Sequence, residues 1–161
     1  MESASSTAVE NLRAQVQRFV RNFGLLAPNQ TPCGKPLSPS HAHCLMVLLE
    51  AGRAARDVSQ QDLVRALGID KSNVARLCAR MVRAGHIRQE RGEADGRSRW
   101  IRLTSAGSRL AANVESASRG MFERLYQAVP AVERDALCGA LEKLNEAVLV
   151  VHGAPSEKET R

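Results

Sequence analysis

Aromatic side chains are scarce: one Trp, one Tyr and three Phe in 161 residues. A core must then come from Leu, Val, Ala and Met, which favours packed helices over an all-β sandwich. Cysteine is sparse too. Cys33, Cys44, Cys78 and Cys138 are scattered with no CxxC pair, a pattern of free thiols rather than of a disulfide framework. Long apolar runs are missing: "CLMVLL" (44–49) falls far below the roughly 20 residues that span a bilayer. The opening "MESASSTAVEN" has no basic segment followed by an apolar one, so no signal peptide and no membrane partner are expected, and the expected location is cytoplasmic. Also absent are a phosphate-binding glycine loop, a nucleophile–base arrangement and a metal-hydrolase motif, which leads us to expect no enzyme.

What the chain has in excess is positive charge, and only in one place. Residues 53–109 hold 13 Lys and Arg against 6 Asp and Glu, net +7, while the remainder holds 10 against 11, net −1. A central basic module flanked by neutral structure is the footprint of a nucleic-acid-binding protein. A solvated basic surface with no partner is the plainer alternative.

The periodicity predicts helices throughout. Leu12, Val16, Phe19, Val20 and Phe23 mark a first helix over 8–26, followed by a loop with three prolines (27–37). Ser38 and Pro39 open a second helix that is expected to stop near Gly52. An extended piece near 57–59 leads into a short helix (60–68) with Leu63, Val64 and Leu67 on one face, closed by Gly68. Asp70 is the natural N-cap of "KSNVARLCARMVRAG", which Gly85 ends. Two short helices about a glycine turn make a helix-turn-helix. Val74, Leu77, Cys78 and Met81 form the apolar side of its second helix; Ser72, Asn73, Arg76, Arg80 and Arg83 fall outside that stripe. In a recognition helix Arg pairs with guanine and Asn with adenine, and other basic groups hold phosphates. The expected DNA contacts are Lys71, Ser72, Asn73, Arg76 and Arg80, with Arg97 and Arg99 from the segment that follows.

That segment is "HIRQE" (86–90) and "RWIRL" (99–103) joined by "RGEADGRS", a β-hairpin placed as a wing. Arg97 at its tip suits a narrow minor groove, where negative potential concentrates. Asp95 would repel phosphate, so its expected role is wing support, holding the Arg97 guanidinium ready. Alternation puts Trp100 and Arg102 on one strand face and Arg99, Ile101 and Leu103 on the other, leaving open which faces the core. Thr104 then caps a helix of about 24 residues, about 36 Å long. Its stripe is Leu110, Val114, Ala117, Met121 and Leu125. Pro130 opens a last helix striped by Leu137, Leu141, Leu144, Val148 and Val151, and a polar tail (152–161) follows. Stripes this long need a partner, part of it a second copy of the chain.

In this order of elements the chain resembles the MarR family of winged helix-turn-helix transcription regulators. The likeness spans residues 8–151. It is carried by "DKSNVARL" at the recognition-helix start, "DGR" (95–97) as the Asp-x-Arg wing motif, and "RLTSAG" closing the second strand. Ala75 stands where Ser or Thr is usual, and "AGHI" (84–87) replaces Arg-Gly-Leu-Val. The resemblance implies a mainly α fold with a small β-wing, in one domain over 1–161: dimerisation helices in 8–37 and 104–151 around a winged helix in 38–103. It also implies a homodimer on a palindromic double-stranded DNA operator, working as a repressor that a small-molecule effector releases. A winged helix used for protein contacts is the rival.

One further cluster invites a sensor reading. "TPCGKPLSPSHAHC" (31–44) groups Cys33, His41 and Cys44, and thiolate with imidazole suits zinc or another soft metal. Redox sensing at Cys33, or ordinary packing of a core cysteine and histidine, are the alternatives; no cofactor is required. Cys78 and Cys138 lie on or near apolar helix faces and are expected to pack there.

Overall fold

The computed structural model describes residues 2–91 and 99–153. Its elements are α1 (Glu2–Asn22), α2 (Pro39–Arg53), α3 (Gln60–Leu67), α4 (Lys71–Arg83), β1 (Ile87–Arg91), β2 (Arg99–Leu103), α5 (Ser105–Ala128), a 3-10 turn (Ala131–Glu133) and α6 (Arg134–Val151). This is the expected mainly helical chain with one small antiparallel sheet. It divides into two compact units, residues 1–119 and 120–161, the division falling within α5. Among the described residues no helix is long and apolar enough to cross a membrane.

The core lies in the first unit. Leu45 of α2, Leu63 of α3, Leu77 and Met81 of α4 and Ile101 of β2 are fully buried together. Ile87 and Val114 extend this core onto β1 and the first half of α5. The open question about the wing strand is thereby answered: Ile101 faces inward, while Arg99 and Arg102 are exposed.

Local chemistry sets the helix ends. Ser38 Oγ accepts from the His41 amide at 3.3 Å, with Pro39 in the first turn, as the sequence predicts. Ser59 and Asp62 form a reciprocal capping box on α3, which the sequence reading did not single out. Asp70 Oδ1 accepts from the Asn73 amide at 2.9 Å and so caps α4. α2 stops near Gly52 as expected, at Arg53, and the left-handed residue after it is Ala55, φ 51°. Two other boundaries differ from expectation. α1 starts at Glu2 and ends at Asn22 rather than running 8–26. The last helix is likewise preceded by a 3-10 turn after Pro130 instead of starting there.

The wing is tied to the body at three points. Ile101 N donates to Val58 O at 2.7 Å, tying β2 to the 57–59 segment. Arg88 stands opposite Arg102 across the strands. Glu90 relieves that like-charge pairing: its carboxylate meets Arg88 Nε at 2.5 Å and Arg102 Nε at 3.1 Å. Arg102 also pairs with Asp57. The third tie is at Thr104. Its amide donates to His86 O at 3.0 Å, its hydroxyl to Gly85 O at 2.6 Å, and the same oxygen accepts from the Gly107 amide at 3.0 Å. A Cβ on Gly107 would lie 1.9 Å from the His86 carbonyl oxygen. The "LTSAG" stretch is thus the point where α5 presses against the Gly85–His86 turn that follows α4.

Candidate nucleic-acid interface

α4 is amphipathic in the way that the sequence predicts. Val74, Leu77, Cys78 and Met81 are buried, and Lys71, Ser72, Asn73, Arg76, Arg80 and Arg83 are exposed. Burial of the apolar side fixes the rotation of the helix, so the polar side presents a defined row of donors. Near its start the row is linked. Asn73 Nδ2 donates to Asp70 Oδ2, and Arg76 Nη2 donates to Asn73 Oδ1 at 2.8 Å. The hydrogen bond from the Asn73 backbone amide holds the Asp70 carboxyl below the usual carboxylate range; desolvation opposes it, and the Asn73 side-chain bond, the Ser72 amide and the Arg76 charge add to it.

Lys71 and Arg99, on different elements, line one shallow cleft of about 390 Å³. Gln60, Gln61 and Gln89 share it. These three amides were not singled out by sequence reasoning, which has no periodic or charge signal for an uncharged residue at a helix start or strand. Cation and amide donors together suit phosphate oxygens beside a groove-bound helix. Arg80 sits at the other end of α4, in a cleft shared with His41, Pro28 and Pro36. Asp95 and Arg97 lie outside the described residues.

Cys33, His41 and Cys44 are not assembled as a metal centre. Among the described residues no group of three or more His, Cys, Asp or Glu could hold a metal ion. Each of the three has another engagement. Cys33 Sγ lies 3.1 Å from Thr31 Oγ1. His41 Nε2 lies 3.1 Å from His86 Nδ1. Cys44 is fully buried in the core, and burial, with Cys78 nearby, pushes its thiol up to about 12. A thiol so reluctant to ionise is a poor ligand and a poor nucleophile. Burial lowers the His41 pKa, helped by the neighbouring His86 and Arg80. Cys78 is buried as expected, but Cys138 is exposed, a correction to its expected packing: α6 presents that part of its surface outward.

Residues 35–98 match the family model described as MarR family. Solved structures share the fold along most of the chain. A probable transcriptional regulator from Pseudomonas aeruginosa is 25% identical, with 83% of this chain and 92% of that one covered and a TM-score of 0.61. Bordetella bronchiseptica BpsR, whose DNA binding is regulated by 6-hydroxynicotinic acid, is 23% identical over 85% and 91% of the two chains, TM-score 0.62. The S. aureus MepR–DNA complex is 18% identical over 89% and 97%, TM-score 0.62. No curated protein matches the chain.

Proposed function

We propose, from the match of residues 35–98 to the MarR family model, that the chain is a MarR-type DNA-binding transcription regulator: a homodimeric, sequence-specific repressor of the cytoplasm that an effector releases from double-stranded DNA. The observation that carries the reading is the two-sided recognition helix: a fully buried apolar stripe, and opposite it a row of exposed cations and hydrogen-bonding groups. Lys71, Ser72, Asn73, Arg76 and Arg80 would meet the major groove or its phosphates, and Arg99 the backbone beside the wing. Arg97, with Asp95 as support, is assigned to the minor groove on the sequence motif alone.

Exposed apolar faces support the dimer. Val9, Leu12, Val16 and Phe19 of α1 are 40–60% exposed, and Leu137, Leu141 and Val148 of α6 are 44–47% exposed. Apolar rows of this length in a monomer mark an association surface. Two recognition helices related by a two-fold axis would then read a palindrome. The effector reading leans on the family and on BpsR, whose DNA binding responds to a small acid.

The test is fluorescence anisotropy on the promoter DNA beside the protein's own gene, against a random duplex, across a salt series. A specific regulator binds the promoter more tightly, with a steep negative log–log salt slope. Arg97→Ala should then weaken promoter binding by about 1–3 kcal/mol. Equal affinity for both duplexes would remove that promoter as target, and salt-independent association would point to protein contacts instead.

A further inference from the structure

We propose that Asn73 does not read a base but is a positioning residue: Asp70 holds it, it holds Arg76, and Arg76 reads a guanine. The proposal rests on the DNA-binding reading above. An Asn that reads adenine presents its carbonyl oxygen and its amino group to the base together. Here both ends are engaged within the helix. Nδ2 donates to the Asp70 carboxylate, and Oδ1 accepts from Arg76 Nη2 at 2.8 Å. The amide lies between an anion that accepts a hydrogen bond from its N–H and a cation that donates one to its carbonyl, so each bond is charge-assisted and polarises the other.

The chain of contacts follows from position. Asp70 is the N-cap, and its other oxygen accepts from the Asn73 backbone amide at 2.9 Å, which fixes the carboxylate. Residues 70, 73 and 76 succeed one another at three-residue intervals along one side of the first two turns. That is the part of a recognition helix nearest the base edges. Among the described residues Arg76 gives one of its five N–H groups to Asn73, which leaves four. A bidentate pairing with guanine O6 and N7 needs two of them. An arginine has several freely rotating bonds, and one anchored before DNA arrives has less freedom to lose on binding. Asp70 also gains a role beyond capping: without Asn73 between them, its charge would face incoming phosphate without a bridge to the Arg76 cation.

The experiment selects binding sites from a random double-stranded library with the full-length wild-type protein. Affinities are then measured on the selected duplex and on all of its single-base variants, for wild type, Asn73→Ala, Arg76→Ala and the double variant. The expected result is that both single variants relax preference at the same G·C pair, about tenfold or more for Arg76→Ala and less for Asn73→Ala. The double variant should be no worse than Arg76→Ala alone, because the two residues act through one contact. Asp70→Ser keeps a capping oxygen but not the one that holds Asn73, and should shift preference in the same direction as Asn73→Ala. Relaxation at two different base pairs with additive losses, the Asn73 position being A·T, would overturn the proposal. A DNA-free readout separates the clamp from the regulator reading. Rotation of the Arg76 guanidinium, followed by nitrogen NMR in the free protein, should be faster in Asn73→Ala than in wild type; equal rates would overturn the clamp. If wild type selects no sequence at all, the regulator reading fails, and the guanine assignment with it, whatever the NMR shows.

Discussion

Gly107→Ala is the sharpest test of how α5 is seated, because two effects oppose each other there and the structure says which wins. Inside a helix, Ala is favoured over Gly by about 0.8–1.0 kcal/mol. At Gly107 the added Cβ would lie 1.9 Å from the His86 carbonyl oxygen. An ordinary contact is roughly 3.4 Å, so the helix start or the His86 peptide must move by more than ~1 Å. The blocking atom is backbone and cannot swing aside. That oxygen accepts from the Thr104 amide at 3.0 Å, and the Thr104 hydroxyl is bonded to both Gly85 O and the Gly107 amide. Displacement costs about 1–3 kcal/mol as overpacking, and loss of the Thr104 cap about 1 more. Subtracting the propensity gain leaves a destabilisation of about 1–3 kcal/mol. Gly52→Ala is the matched control: Gly52 is helical in α2, and its Cβ would meet nothing within 4 Å. That variant should gain up to about 1 kcal/mol. Urea midpoints at one protein concentration and unchanged m-value report both. A Gly107→Ala protein as stable as wild type would refute the close-approach argument, and with it the seating of α5 on His86.

Other expectations follow from the same contacts. Cys44 and Cys78 should resist a thiol reagent in the native protein and label only on unfolding, since both are buried with raised pKa values; labelling of Cys44 as fast as exposed Cys138 would contradict this. The depressed His41 pKa means that the unfolded chain binds the proton more readily than the folded one. That contribution is complete above the unfolded imidazole value of ~6.5 and is lost as pH falls from there toward the folded pKa. His41→Gln should flatten this part of the urea-midpoint profile, and a slope unchanged by the substitution would discount half-buried His41 as its origin. Ala55→Gly should stabilise by about 0.5–1 kcal/mol, because Ala55 holds a left-handed φ of 51° that Gly adopts freely; equilibrium unfolding checks the sign. Leu141→Glu on the exposed face of α6 should shift the sedimentation coefficient from dimer to monomer at micromolar concentration.

Much of the fold was legible because its signals are local and periodic. The α4 stripe of Val74, Leu77, Cys78 and Met81 needs only its spacing to be recognised, and all four are buried. The caps at Ser38 and Asp70 are set by side chains that reach the amide three residues on. Where the reading missed, a non-local term decided. α2 ends at Arg53, near Gly52 as read, but Ala55 and not the glycine takes the left-handed turn after it. Here Arg53 forms a bidentate pair with Glu115 of α5 at 2.6 and 2.7 Å, which anchors the last turn to a partner 62 residues away. No window around Gly52 contains that carboxylate. Which face of β2 turns inward was open for the same reason: Ile101 is held by Val58, in a segment 43 positions earlier in the chain.

The site divides along the same line. Residue types at the recognition helix could be read from a helical wheel, since exposure there is the complement of a buried stripe. Their engagement could not. Asn73 reads equally well as a base-reading amide or as a clamp until the Asp70 carboxylate and the Arg76 guanidinium are placed at its two ends. The Cys33–His41–Cys44 cluster fails in the opposite direction. Proximity in sequence suggested a shared ligand, but helical geometry turns Cys44 into the core while His41 meets His86, 45 residues away. Spacing predicts which side chains share a helix face; it does not predict which atoms are already satisfied. A donor set becomes a metal site only if its lone pairs are free, and a polar row becomes a reading surface only at those residues whose hydrogen bonds are not already taken by neighbours. On α4 that criterion separates Asn73, whose amide is engaged at both ends, from Arg76, which among the described residues gives one N–H of its five to Asn73, and this difference is what the proposed guanine contact at Arg76 rests on.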